Sequence, residues 1–134
     1  MWFNNYIGIP FLADGNDREG CDCWGLAVLI YKEQLNIDLP VFAGMFVDGS
    51  LASLIRVTKH IRKIKKTWLK VNEPAPYDII LLRTGNMIYH VGLVIDKKRM
   101  LHVMEDINST IEEFIGLQWK QKVEGFYRWK IAEK

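Results

Sequence analysis

The chain has 134 residues, 49% of them hydrophobic and 25% charged, with a formal net charge of +2. This length fits one domain, residues 1–134, with enough apolar surface for a core without staples. A net charge this small names no partner, no run reaches the roughly 18 apolar residues needed to span a bilayer, and two cysteines two positions apart, Cys21 and Cys23, exclude a disulfide framework.

The N-terminal run Met1-Trp2-Phe3-Asn4-Asn5 lacks a basic segment followed by an apolar one. A chain made in the cytoplasm without a signal peptide is therefore expected. Residues 12–22 read as a loop, because Asp14-Gly15-Asn16-Asp17 and Glu19-Gly20 are turn chemistry. Asp22 is a good N-cap for a helix over Trp24 to Leu35, with an apolar face through Leu26, Leu29 and Ile30. Asp38-Leu39-Pro40 is expected to end it, since proline restricts the residue before it. A second helix is expected from Ser50, with Leu51, Leu54, Ile55 and Ile61 along its buried stripe.

The positive charge gathers between Lys59 and Lys70, and this run reads as a solvated helix face rather than a nucleic-acid site. Pro74-Ala75-Pro76 breaks the chain. Strands are then expected over Asp78 to Arg83, Ile88 to Ile95 and Met100 to Met104, joined by Thr84-Gly85-Asn86 and Asp96-Lys97-Lys98. Ile111 to Phe114 reads as a further strand, Leu117 to Lys122 as a helical turn, and Gly125 to Trp129 as a last strand. Helices first and an antiparallel sheet second make an α+β layout.

Cys23 falls in the first turn of the helix that Asp22 caps. The partial positive charge there favours thiolate over thiol. A small buried hydrophobe is the alternative reading of the same position. A thiolate nucleophile needs a base and a group to orient it. His60, among cations, reads as a surface residue. His90 and His102 lie on adjacent strands. If the loop is Asp96 to Lys98 and Ile95 faces Arg99, then Gly92 faces His102 and His90 faces Met104. The two histidines are then diagonal neighbours on one face. His102 could fix the tautomer of His90, which would present its other nitrogen to Cys23. Cys21, Cys23, His90 and His102 also form a possible zinc set, but Cys-x-Cys is tighter than the usual ligand spacing.

The stretch Gly8-Ile9-Pro10-Phe11, then Gly15, then Gly20-Cys21-Asp22-Cys23-Trp24-Gly25-Leu26, resembles the nucleophile motif of NlpC-type peptidases. Pro76-Tyr77-Asp78-Ile79-Ile80-Leu81 resembles the family's strand motif, and His90-Val91-Gly92-Leu93-Val94-Ile95 its base motif. His102 falls at the third polar position. The resemblance implies a papain-like fold and a cysteine endopeptidase acting on peptidoglycan stem peptides, with no metal or cofactor. Its catalytic residues would be Cys23, His90 and His102. Asp22, Trp24, Phe11 and Tyr89 would contact substrate, although core packing is the other reading of Trp24 and Tyr89. Asp78 is expected to fix a turn, and Cys21 to be inert.

The phage-tail subgroup looks most similar, through Asp22-Cys23-Trp24-Gly25-Leu26 and the segment Gly125-Phe126-Tyr127-Arg128. That implies a place in a virion tail among other tail proteins, acting at the bacterial wall. The rival implications are a structural tail protein that keeps the fold without useful catalysis, and an acyl transferase or amidase with the same residues. Two positions depart from many cellular members, which have Tyr in place of Phe11 and Ser in place of Trp24. Phe11 donates no hydrogen bond, so an oxyanion would rely on the Cys23 backbone N–H and other donors. The glycine usual before Asp78 is also missing.

Overall fold

A computed structural model describes residues 1–45 and 48–130. The chain opens with a 3-10 turn, Trp2–Tyr6, whose Phe3 and Tyr6 are buried. Two short strands follow, β1 (Asn16–Asp17) and β2 (Gly20–Cys21), paired antiparallel. Phe11 bridges Cys21 in parallel, with Cys21 N–H donating to the Pro10 carbonyl at 3.0 Å.

Helix α1 (Cys23–Ile30) starts where the sequence places it. The Asp22 carboxylate accepts from Gly25 N–H at 2.7 Å and, through its other oxygen, from Asp14 N–H at 3.0 Å. The helix nests so closely on the preceding loop that a Cβ at Gly25 would lie 1.8 Å from the Gly15 carbonyl oxygen. All its residues except Val28 are buried, so it is a core helix and not an amphipathic one. From Tyr31 to Leu35 the winding loosens to a π-helix, and Asn36 ends it in the left-handed conformation at φ 56°. The stop comes ahead of Asp38-Leu39-Pro40, because asparagine tolerates that backbone region.

Helix α2 (Leu51–Thr67) is capped by the Ser50 side chain, which accepts from Ser53 N–H at 3.1 Å. Its buried stripe is Ser53, Val57, Ile61 and Ile64. The expected stripe is therefore rotated, with Leu51 71% and Ile55 46% exposed. The i, i+4 spacing of Val57, Ile61 and the following Ile64 presents the longer apolar ridge to the sheet. Lys65 reaches Glu124 at 2.9 Å, while Lys59, Lys63 and Lys66 are exposed as a solvated face.

The six-stranded sheet comprises β3 (Leu69–Val71), β4 (Ile79–Thr84), β5 (Met87–Val94), β6 (Arg99–Met104), β7 (Ile107–Glu113) and β8 (Val123–Arg128). Its order is β3-β8-β4-β5-β6-β7, and every neighbouring pair is antiparallel. Strand alternation divides its apolar side chains between two clusters. Ile79, Leu81, Leu93, Leu101 and Val103 belong to the larger core with α1. Ile80, Leu82, Val94 and Met100 pack with Phe114 and Trp119. The helical turn near the C-terminus is a 3-10 turn over Lys120–Lys122. Among the described residues, no helix is long and apolar enough to cross a membrane.

Asp78 fixes the entrance to β4. Its carboxylate receives Nε and Nη2 of Arg128, each at 2.8 Å, together with Ala75 N–H at 2.8 Å. The expected turn role holds, and a residue of the Gly125-Phe126-Tyr127-Arg128 segment supplies the opposing charge.

Candidate active site

The β5–β6 hairpin has the expected register. Leu93 faces Leu101, Val94 faces Met100, and Ile95 N–H donates to the Arg99 carbonyl at 2.9 Å. Continued along the strands, it sets His90 diagonal to His102. The rings meet edge to face, with His90 Nε2 3.0 Å from His102 Nδ1. Both histidines are buried, which disfavours their charged forms. Burial, and then the neighbouring His102, bring the His90 pKa down to about 3. Burial also lowers that of His102, against the pull of Glu112.

Cys23 stands at the first turn of α1, and the backbone N–H of Val91, next to His90, acts on its sulfur. The thiol donates to the Met45 carbonyl at 3.3 Å. Four side chains, of Asp14, Trp24, Arg56 and His60, fasten the segment leading to Met45. Trp24 Nε1 donates to the Pro40 carbonyl at 2.7 Å, and Arg56 Nε to the Gly44 carbonyl at 3.0 Å. Gly44 N–H donates to Asp14 Oδ1 at 2.6 Å. His60 is half-buried rather than a free surface residue; it stacks on Phe42 and sets Nε2 2.8 Å from the Ala43 carbonyl.

This cover reverses the expected ionisation of Cys23. Burial, and then the Asp22 carboxylate, push the thiol up to about 12, overriding the helix terminus and the N–H groups of Val91 and Trp24. Cys21 is buried and likewise raised to about 12.

A groove of about 330 Å³ opens beside Cys23 and His90, lined also by Phe11, Tyr89, Val103, Met104, Glu105 and Asp106. Of the residues expected to contact substrate, Phe11 and Tyr89 line this groove. Asp22 and Trp24 do not. Asp22 is 2% exposed and its carboxylate caps α1; Trp24 is 1% exposed and packs between Phe42 and Trp68. A residue on either side of Cys23 in sequence turns inward once the helix begins, so adjacency to Cys23 does not mean access to the groove. Among the described residues, no three His, Cys, Asp or Glu side chains form a group that could hold a metal ion.

Two partners escape the sequence reading. Glu112 Oε2 lies 2.7 Å from His102 Nε2, and Glu112 Oε1 accepts from Trp119 Nε1 at 2.8 Å. Trp119 also stacks on His90, with ring centroids 6.2 Å apart. Thr110 faces His102 across β6 and β7, so Glu112 is its diagonal neighbour. The signal was available only to a reading that started β7 at Ile107 rather than Ile111.

A helix carrying a cysteine at its first turn, packed on an antiparallel sheet that offers a paired histidine, defines a papain-like α+β domain. Residues 8–128 match the model of the NlpC/P60 family, and the chain belongs to that family. It is 22% identical over 120 residues to the murein DD-endopeptidase MepS/murein LD-carboxypeptidase of Escherichia coli, covering 90% of this chain and 55% of that protein. It is 24% identical over 134 residues to the gamma-DL-glutamyl hydrolase of Bacillus subtilis, covering 92% of this chain and 27% of that protein. The chain thus spans about half the length of the first of these relatives and about a quarter of the second. An NlpC/P60 family protein from Bacillus cereus superposes with a TM-score of 0.68 at 18% identity, over 94% of this chain and 37% of that one. The NlpC/p60 domain of the peptidoglycan hydrolase SagA does so with a TM-score of 0.60 at 18% identity, over 95% and 92% of the two chains. At these identities the structural likeness establishes the shared fold.

Proposed function

We propose that this chain is a peptidoglycan hydrolase, a cysteine endopeptidase that cuts an amide bond in a stem peptide. The observation that carries this reading is Cys23 and His90 lining one groove, with His102 bonded behind His90, in a family whose named relatives include a murein endopeptidase. His102 occupies Nε2 of His90, which leaves His90 Nδ1 to serve Cys23. In the first half-reaction the Cys23 thiol turns from the Met45 carbonyl and passes its proton to His90 as the sulfur attacks the scissile carbonyl carbon. The tetrahedral oxyanion collapses, the C–N bond breaks, and His90 returns the proton to the leaving amine. In the second half, His90 takes a proton from water, which attacks the thioester; the acid departs and Cys23 regains its proton. Phe11 borders the groove without a donor, so backbone N–H groups carry the oxyanion.

The phage-tail reading is the finer part of the proposal. It is supported by Asp22-Cys23-Trp24-Gly25-Leu26 and Gly125-Phe126-Tyr127-Arg128, and it puts the chain among other tail proteins at the bacterial wall. A second reading, a structural tail protein with no useful catalysis, is favoured by one observation, the covered thiol of Cys23.

Hydrolysis of purified muropeptides, read by mass spectrometry for the native protein beside Cys23→Ala and His90→Ala, separates the two. Cleavage abolished by both substitutions supports the enzyme, and the product masses name the bond. A folded, reduced native protein that cuts nothing puts the structural reading ahead.

A further inference from the structure

We propose that Glu112 is a positioning residue that sets the tautomers of both histidines, so that His90 faces Cys23 with a lone pair. The proposal rests on the reading of Cys23 and His90 as nucleophile and base. It begins from a carboxylate that can only accept hydrogen bonds.

Glu112 Oε1 accepts from the indole N–H of Trp119, a donor with no other role. Oε2 lies 2.7 Å from His102 Nε2, so His102 must carry its proton there. A neutral His102 then has a lone pair at Nδ1. That nitrogen is 3.0 Å from His90 Nε2, so His90 must carry its proton at Nε2. The Nδ1 of His90 is left as the acceptor, which is the form able to take a proton from a thiol. One carboxylate thereby settles two proton positions in sequence and leaves one lone pair facing Cys23.

The ionisation of the groups agrees with this order. Burial keeps both imidazoles neutral. Burial pushes the Glu112 carboxyl upward, but the hydrogen bonds from Trp119 and His102 outweigh it and hold the group below its ordinary range. Once His90 becomes cationic during catalysis, the same line of hydrogen bonds ends on a negative charge.

Without the carboxylate, the reverse set is equally available. His102 would donate from Nδ1, His90 would accept at Nε2, and its proton would sit on Nδ1, where it blocks the base. A glutamine at position 112 favours this wrong set. Trp119 N–H orients the amide oxygen toward itself, so the amide NH2 faces His102 Nε2 and requires an acceptor there.

The test uses the whole chain with Glu112→Ala, Glu112→Gln, and Glu112→Gln combined with Trp119→Phe. Muropeptide cleavage should fall about 10-fold in Glu112→Ala and about 100-fold or more in Glu112→Gln, the cost of a wrong tautomer. The added Trp119→Phe removes the donor that orients the amide, so its oxygen can turn to His102 and part of the lost rate should return. Nitrogen-15 NMR of the imidazoles should find protons on Nε2 of both histidines in the native protein and on Nδ1 in Glu112→Gln. Native tautomers or a native rate in Glu112→Gln, or no rescue by Trp119→Phe, would overturn the proposal. If the native protein cuts no muropeptide, the functional reading fails, and the NMR result alone still decides the role of Glu112.

Discussion

The thiol of Cys23 donates its hydrogen to the main-chain carbonyl of Met45, 22 residues further along the chain. In this arrangement the proposed nucleophile is a protonated donor, and a backbone segment lies against its sulfur.

Alkylation should report this directly. With the thiol raised to about 12, the rate at Cys23 should climb about tenfold per pH unit from pH 7 to 10 without a plateau. Arg56→Ala removes the donor to the Gly44 carbonyl and should speed alkylation several-fold at pH 8. Iodoacetamide labelling located by fragment mass spectrometry separates Cys23 from Cys21. A plateau below pH 9 in the native protein would contradict the closed arrangement.

Acid should destabilise the fold through its histidines. His90, held down at about 3, and His102, also lowered, bind protons more readily in the unfolded chain. Their contribution is full above the unfolded value of about 6.5 and is lost as pH falls from there toward the folded values. The slope is about 1.4 kcal/mol per pH unit for each group. Asp22, raised to about 6 by burial, has the opposite slope between about pH 4 and 6 and blunts the lower part of the fall. Urea titrations from pH 7.5 to 5 should show the midpoint dropping, and His90→Asn should flatten the upper part of the curve.

Arg128→Met should weaken the fold by about 1.5–3 kcal/mol, the range for hydrogen bonds to a charged group. It strands the buried Asp78 carboxylate, although Arg128 itself is partly exposed and solvent will moderate the loss. Equilibrium denaturation measures it. A change under about 0.5 kcal/mol, typical of an ordinary surface position, would deny the clamp its role.

Gly25→Ala tests the approach of α1 to the loop before it. The new Cβ would lie 1.8 Å from the Gly15 carbonyl oxygen, a backbone atom with no rotamer to change. Overpacking of this kind costs about 1–3 kcal/mol where neighbours can adjust, and the upper end is expected here. Thermal unfolding should show it, with Cys23 alkylation as a second readout because the helix start must shift.

The sequence spelled out features governed by local chemistry. Asp22 before Cys23 marked the α1 cap, and the three-residue connection at Asp96 marked the hairpin that joins His90 to His102. It was poorer where tertiary packing chooses among equivalent faces. Leu51 and Ile55 are as apolar as Val57 and Ile64, and only the sheet decides which pair turns inward. β7 was half hidden because Asn108, Ser109 and Thr110 do not look like strand. Yet Ser109 is buried, its hydroxyl receiving Ile9 N–H at 2.8 Å. Glu112 lay in the half that does read as strand, but its importance depends on a neighbour ten residues away, and the hidden half carries the register that pairs them.

The position of β8 has a consequence for how the protein is made. The latest strand in the sequence lies second from one edge, between β3 and β4. A ribosome that has released the chain only through Trp119 has exposed both histidines, their carboxylate and Cys23, but not the strand that joins β3 to the rest. The nascent chain then carries β4 as an open edge, a template for pairing with other chains. A stop codon introduced just before Val123 should therefore yield insoluble protein, even though it spares every residue of the proposed reaction.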